Sequence, residues 1–286
     1  MRLILSRKGF DSSAGGVPSP IFPDGRMLSL PIPDRYSEIT YSAISHAGES
    51  LGTLVSGLTG GAVPDHHGAH LDPDLTASSL PRLPGWRPLF GQAGPAQSHL
   101  RNKGVGPGDL FLFFGLFRCV EKHQGRYRWV PESRPRHVIW GWLQIDNVLP
   151  LTEGRPAGCE WAGYHPHLKR EIANNCLYLA RDNLQIGKRN IGLPGAGVFP
   201  CFSASQQLTA ADAPMVSLWE LPGWFHPGKH RTPLSYHGDL SRWRRCGNRT
   251  ALRSVGRGQE FVLDCGQYPE AINWARTLIN ENYGGG

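Results

Sequence analysis

Lys103-Gly104-Val105-Gly106-Pro107-Gly108-Asp109, a glycine-rich turn, leads into the strongly apolar run Leu110-Phe111-Leu112-Phe113-Phe114. A short apolar run bounded by turn residues reads as a buried strand. A charged, hairpin-like stretch from Arg118 to Arg136 follows, and then His137-Val138-Ile139-Trp140-Gly141-Trp142-Leu143-Gln144-Ile145. The aromatic and β-branched content of this second stretch makes it another long strand. Gly141 marks a bulge within it, where a backbone or ligand comes close.

The same grammar extends outward. Arg2-Leu3-Ile4-Leu5-Ser6 is a short apolar run stopped by charge and glycine, the profile of a buried strand feeding a loop. Leu177–Ala180, Met215–Trp219 and Glu260–Asp264 read as further strands. Pro18, Pro20, Pro23, Pro31 and Pro33 predict an ordered but irregular segment with a turn at Pro23-Asp24-Gly25. Residues 36–58 form the first helix region, weakened by Gly48 and Gly52, and residues 59–88 return to loop. A closing helix follows Pro269, with Ile272, Ala275, Leu278 and Ile279 as its apolar stripe. The only low-complexity tract is the tail Gly284-Gly285-Gly286, and no linker or repeat divides the chain. The expectation is one integrated α+β domain over residues 1–286, of mostly short strands, a few flanking helices and long ordered loops.

With 36 Gly and 24 Pro in 286 residues, turns and short strands outweigh long helices. A net charge of +7 on a chain with only 19% charged residues concentrates positive surface, and polyanions are the commonest partner for one. The six cysteines contain no Cys-x-x-Cys pair, which argues against a zinc knuckle or a thioredoxin-like site. The apolar run at the N-terminus is too short for a signal peptide, and no stretch approaches the ~20 residues of a membrane helix. A soluble cytoplasmic protein with reduced thiols and no membrane partner is expected.

Four groups of residues offer chemistry. The loop after the first strand holds the cations Arg7 and Lys8, the carboxylate of Asp11, the hydroxyls of Ser12 and Ser13, and the backbone amides of Gly9, Gly15 and Gly16. Such a turn can cradle a phosphate, although the P-loop order is absent. Asp65, His66, His67, His70, Asp72 and Asp74 crowd one segment at a density that could hold a divalent ion. Their spacing matches no metal signature, so no metal ligand is assigned, and His70 and Asp72 are candidates for acid–base or binding roles. Gln92 and Gln97, near His99, carry amides able to read a base edge. Basic residues interleave with aromatics at Arg118–Arg136 and again at Lys229–Arg253, as nucleic-acid surfaces require. His165-Pro166-His167, Asn174-Asn175 and Tyr236-His237-Gly238-Asp239 are further clusters without a diagnostic spacing.

The opening LILSRKGFDSSAGGVPSPIFPDGRMLSLPIPD, with HLDPDL, GQAGPAQSHL, GVGPGDLFLFFGLFR, WGWLQI and GQEFVLD, resembles the nucleotide modification associated domain 3 family (Nmad3) over nearly the whole chain. The resemblance implies a place in DNA base modification systems of phages and bacteria. It carries over as candidates Arg7, Lys8, Asp11, Ser12, His70, Asp72, Gln92 and Gln97. Residues 103–150 are also similar, more weakly, to PUA-like barrels of the EVE and ASCH groups. That similarity implies a partly open barrel core in place of an ordinary mixed sheet, and an aromatic pocket in which Trp140 or Trp142 stacks on a base.

These readings lead to a DNA base-modifying enzyme, a nucleobase- or nucleotide-modifying transferase whose cofactor the sequence does not name. Asp11, Asp72 and His70 are its catalytic candidates. Arg7, Lys8 and Ser12 would hold the nucleotide and Gln92 and Gln97 would read an extruded base. The partners would be DNA or nucleotides and other proteins of a modification pathway. The alternatives are a PUA-like reader of modified bases in DNA or RNA and a transferase acting on free nucleotides.

Overall fold

The computed structural model describes residues 1–152, 154, 156–187 and 189–284, so Gly285 and Gly286 of the glycine tail lie outside the described residues. Nine strands make the main sheet: β1 (Arg2–Arg7), β2 (Ser19–Ile21), β3 (Leu89–Gln92), β4 (Leu110–His123), β5 (Arg126–Trp129), β6 (Arg136–Pro150), β7 (Cys176–Ala180), β8 (Ala196–Val198) and β9 (Glu260–Asp264). The order is β9-β1-β4-β6-β7-β3, with β8 paired to β6, and β2 and β5 paired to β4. β1 and β2 run parallel to β4, and every other pairing is antiparallel. The sheet is therefore mixed. Its path ends at β9 and β3 without closing into a barrel.

The apolar runs follow from position in this order. β1 lies between β9 and β4 with both faces covered, burying Leu3 to Ser6 in succession, so its run is continuous and does not alternate. β4 sends Phe111 and Phe113 to one face, against Phe90 and Trp140. Phe114 goes to the other, against Trp219 and Phe261. The β4–β5 hairpin turns at Gln124 and Gly125, both with positive φ. In β6 the register shifts between Ile139 and Gly141, so the bulge falls at Trp140. Gly141 does meet a backbone: a Cβ there would lie 2.9 Å from the carbonyl oxygen of Gly197 in β8.

Three α-helices flank the sheet among the described residues: α1 (Leu51–Leu58), α2 (Gly94–Asn102) and α3 (Glu270–Asn282). The helix expected over 36–58 is confined to its last eight residues. Ala47 and Gly48 take positive φ and turn the hairpin between Ser45–His46 and Glu49–Ser50. The helix starts only where the Ser50 hydroxyl accepts from the Gly52 amide at 3.2 Å. Gly94 and Pro95 look like a turn, yet they open α2, because proline suits a first helical turn. The strand expected at Met215–Trp219 runs instead over Leu218–Pro222, in a small sheet with Arg249–Arg253 and Trp243–Cys246. No helix among the described residues is long and apolar enough to cross a membrane.

The largest apolar cluster draws residues from Leu3 through Ile279. Trp142 is central to it, fully buried, stacked on Phe199 at 5.0 Å and donating from Nε1 to the Pro194 carbonyl at 3.0 Å. Trp142→Ala is expected to cost about 3–5 kcal/mol in denaturant unfolding. His137 is buried as a neutral ring whose Nδ1 accepts from Trp219 Nε1 at 3.0 Å. Burial, with Arg7 adding to it, pushes its pKa down to about 3. The unfolded chain therefore binds this proton first, so stability is lost as pH falls from about 6.5 toward about 3. A loss of about 2 kcal/mol between pH 6.5 and 5 is expected from this group, and His137→Gln should flatten that slope in unfolding measurements.

Candidate active site

Three local structures bring chemistry to the β3 edge of the sheet. Ile32–Pro33 pairs antiparallel with Ala69–His70, which sets the His70 imidazole beside Asp34, Nδ1 to Oδ2 3.1 Å. Arg170 also binds the Asp34 carboxylate. Pro166–Leu168 forms a 3-10 turn in which His165 Nδ1 accepts from the His167 amide at 3.4 Å. Asn175, just before β7, accepts from His167 Nδ1 through Oδ1 and donates to the His167 carbonyl through Nδ2, both at 2.7 Å.

Asp72 lies where these meet. Its Oδ1 accepts from the Gly91 amide of β3 at 2.7 Å and sits 3.3 Å from His165 Nε2, within ion-pair reach but off hydrogen-bond alignment. Its Oδ2 faces His167 Nε2 at 3.6 Å and His70 Nε2 at 3.8 Å. Burial alone would raise the Asp72 carboxyl, but His165 and His167 outweigh it and hold it far below the usual carboxylate range. Burial also pulls against a proton on His167, where Asp72 and Asn175 prevail and raise its pKa. Burial wins at His70, whose pKa is lowered despite Asp72 and Asp34. Asp72 thus favours a proton on His167, while burial disfavours one on His70.

A second charged group adjoins this one. Lys8 Nζ donates to Glu260 Oε1 at 2.9 Å while lying 4.6 Å over the Phe90 ring. Gln92 Nε2 donates to the same oxygen at 2.6 Å, and the other Glu260 oxygen is buried without a hydrogen-bond partner. β3 joins the two groups, since Gly91 serves Asp72 and its neighbour Gln92 serves Glu260. A cavity of about 320 Å³, in the lower range for ligand sites, reaches Asp72 and is lined also by Gly9, Ser29, Leu71, Leu75 and Trp140. Gly9 takes φ +95°, and a Cβ there would come within 2.5 Å of the Ser29 hydroxyl.

The candidates read from the sequence thus separate. His70 and Asp72 meet in the histidine cluster, and Lys8 and Gln92 meet at Glu260. Arg7 is spent on the carbonyls of Val255 and Gly256, at 2.9 and 2.8 Å. Asp11 accepts from Ser13 N, Ser13 Oγ and Ala14 N, ordering its own turn, and Ser12 is exposed. Gln97 is buried and accepts from the Tyr178 hydroxyl at 2.7 Å. Trp140 lines the cavity, whereas Trp142 is in the core. The crowded Asp/His segment also divides: Asp65 and His66 pair on the surface, while Asp74 is bound bidentately by Arg82 and by the Tyr164 hydroxyl.

His165, His167 and Asn175 were visible as clusters but unassigned, and Asp34 and Glu260 carried no signal. His165, His167 and Asp34 meet partners remote in sequence, and Asn175 takes its place from His167. Gly91 is a further such residue, because a Cβ there would lie 2.3 Å from the His167 ring. Gly91→Ala is expected to cost about 1–3 kcal/mol by overpacking and to move the His167 resonances in NMR spectra more than those of the surface His66.

No curated protein and no solved structure matches the chain. A family model described as nucleotide modification associated domain 3 does, over residues 2–264, a span that takes in the Asp72 cluster, the Lys8–Glu260 pair and every strand of the main sheet. The chain belongs to the nucleotide modification associated domain 3 family.

Proposed function

We propose that the chain is an enzyme that modifies a nucleobase in DNA, and that the reaction takes place at Asp72. The observation that carries this reading is a buried, ionised carboxylate ringed by three imidazoles at the wall of a cavity. Ionisable groups concentrated at a cavity wall mark sites of chemistry more often than sites of packing. The family name ties that chemistry to nucleotide modification. A base extruded from the duplex would enter beside Trp140, whose indole N–H has no hydrogen-bond partner within the protein.

Contacts to phosphate fall to a different part of the surface from the opening loop, since Lys8 is paired with Glu260 and Arg7 with backbone carbonyls. Arg244 and Arg253 are exposed on the small three-stranded sheet, and Arg257 is exposed on the connection from there to Glu260. Arg7 holds that connection beside the site through Val255 and Gly256. A DNA backbone lying across these arginines would bring its bases to the cavity.

Mass spectrometry of nucleosides from host DNA tests the reading. A mass-shifted nucleoside is expected with the native chain and with Asp11→Ala, and none with Asp72→Asn. Modification that survives Asp72→Asn but disappears with Asp11→Ala would move the reaction to the opening loop. Tight discrimination between modified and plain oligonucleotides, with no nucleoside changed, would make the chain a reader. Arg244→Ala and Arg253→Ala should each weaken DNA binding across sequences and lower the slope of log affinity against log salt by about 1.

A further inference from the structure

We propose that His70 Nε2, Asp72 Oδ2 and His167 Nε2 bind one divalent first-row transition-metal ion. The inference concerns the same cluster as the proposed function but rests on the arrangement of its side chains and not on the reaction. The three atoms all lie within 4.8 Å of one another, with 3.6 and 3.8 Å between the carboxylate oxygen and the two imidazoles. Ligands about 2.1 Å from a metal sit about 3.0–3.5 Å apart, so a shift of a few tenths of an ångström closes those two gaps.

The orientation of each ligand is set from behind. A carboxylate oxygen can only accept, so Asp34 Oδ2 places the His70 proton on Nδ1 and leaves its Nε2 lone pair facing Asp72. The Asn175 amide is fixed by its donation to the His167 carbonyl, so its oxygen takes the His167 Nδ1 proton and frees that Nε2 as well. Gly91 and His165 occupy the Oδ1 side of Asp72, which turns Oδ2 toward the two rings. Imidazoles held through Nδ1–H by a carboxylate and an amide oxygen are what metal sites use to orient their ligands.

His165 is a second and separate observation. Its ring is fully buried, its Nδ1 accepts from the His167 amide, and its Nε2 points at Asp72 without hydrogen-bond alignment. A buried carboxylate among three imidazoles needs positive charge beside it, and a metal ion at the His167 Nε2 would supply it in place of a proton there. Two nitrogens and one oxygen suit iron, zinc, cobalt or manganese, whereas magnesium and calcium select oxygen donors. Three protein ligands also leave coordination positions open to water or substrate.

Chelator-treated, folded full-length protein titrated with cobalt(II) provides the test, with no DNA present. One equivalent is expected, with visible absorption bands of a nitrogen-ligated ion, competed by zinc(II) and not by magnesium(II). His70→Ala and His167→Ala should abolish the bands, and His66→Ala, in the exposed pair with Asp65, should leave them unchanged. Asn175→Leu keeps all three ligands and should weaken binding about 10–100-fold, which keeps the test open if the histidine variants fail to fold. A folded native protein without cobalt bands overturns the proposal, as do folded His70→Ala and His167→Ala proteins that bind as the native one does. Cobalt binding in a protein that leaves host DNA unmodified retires the proposed function and keeps the metal site; the reverse pairing retires the metal site alone.

Discussion

The burial of Asp72 is the constraint around which the edge of the sheet is arranged. An ionised carboxylate taken out of water costs several kcal/mol unless donors and positive charge surround it. His70 stands two residues away on a short ladder, but the other partners come from farther along the chain: the Gly91 amide of an edge strand and two histidines of a 3-10 turn. A charge that would be unfavourable alone thereby ties β3, the approach to β7 and the loop before β3 into one structure. Asp74, two residues on, does the same for packing. Arg82 binds it bidentately, and the Tyr164 hydroxyl reaches both residues, which brings the neighbouring His165 to Asp72.

The sheet supplies what these loops lack, a fixed frame. β1 and β9 pair along Ser6 and Glu260, and the next residue after β1, Lys8, reaches back to the Glu260 carboxylate. Phe90 sits under Lys8 and packs against Phe111 and Phe113 of β4, so this ion pair is anchored in the main core. Loops on such a frame can hold reactive groups in strained or costly arrangements that free loops could not maintain. The fold itself says little about the reaction. What points to chemistry is the set of donors and acceptors at Asp72.

The strands were legible wherever local pattern and burial agree. LILS, LFLFF and HVIWGWLQI are apolar because successive residues of β1, β4 and β6 are buried on both faces of the sheet, and that burial writes itself directly into composition. The 36–58 region was harder, because helix propensity there competes with the left-handed turn at Ala47 and Gly48, and the turn prevails. α2 was hidden by a Gly-Pro pair that serves equally well in a turn and at a helix start.

By itself the sequence determined the α+β class, the buried strands, the family and the local concentration of His70 and Asp72. Only the tertiary structure decided which candidates lie together. It sent Arg7 to backbone carbonyls and Asp11 to its own turn, and gathered Asp34, His165, His167 and Asn175 around Asp72. The reason is physical. Secondary structure answers to neighbours within a few positions, whereas the state of a buried charge depends on whatever the fold places within about 4 Å of it.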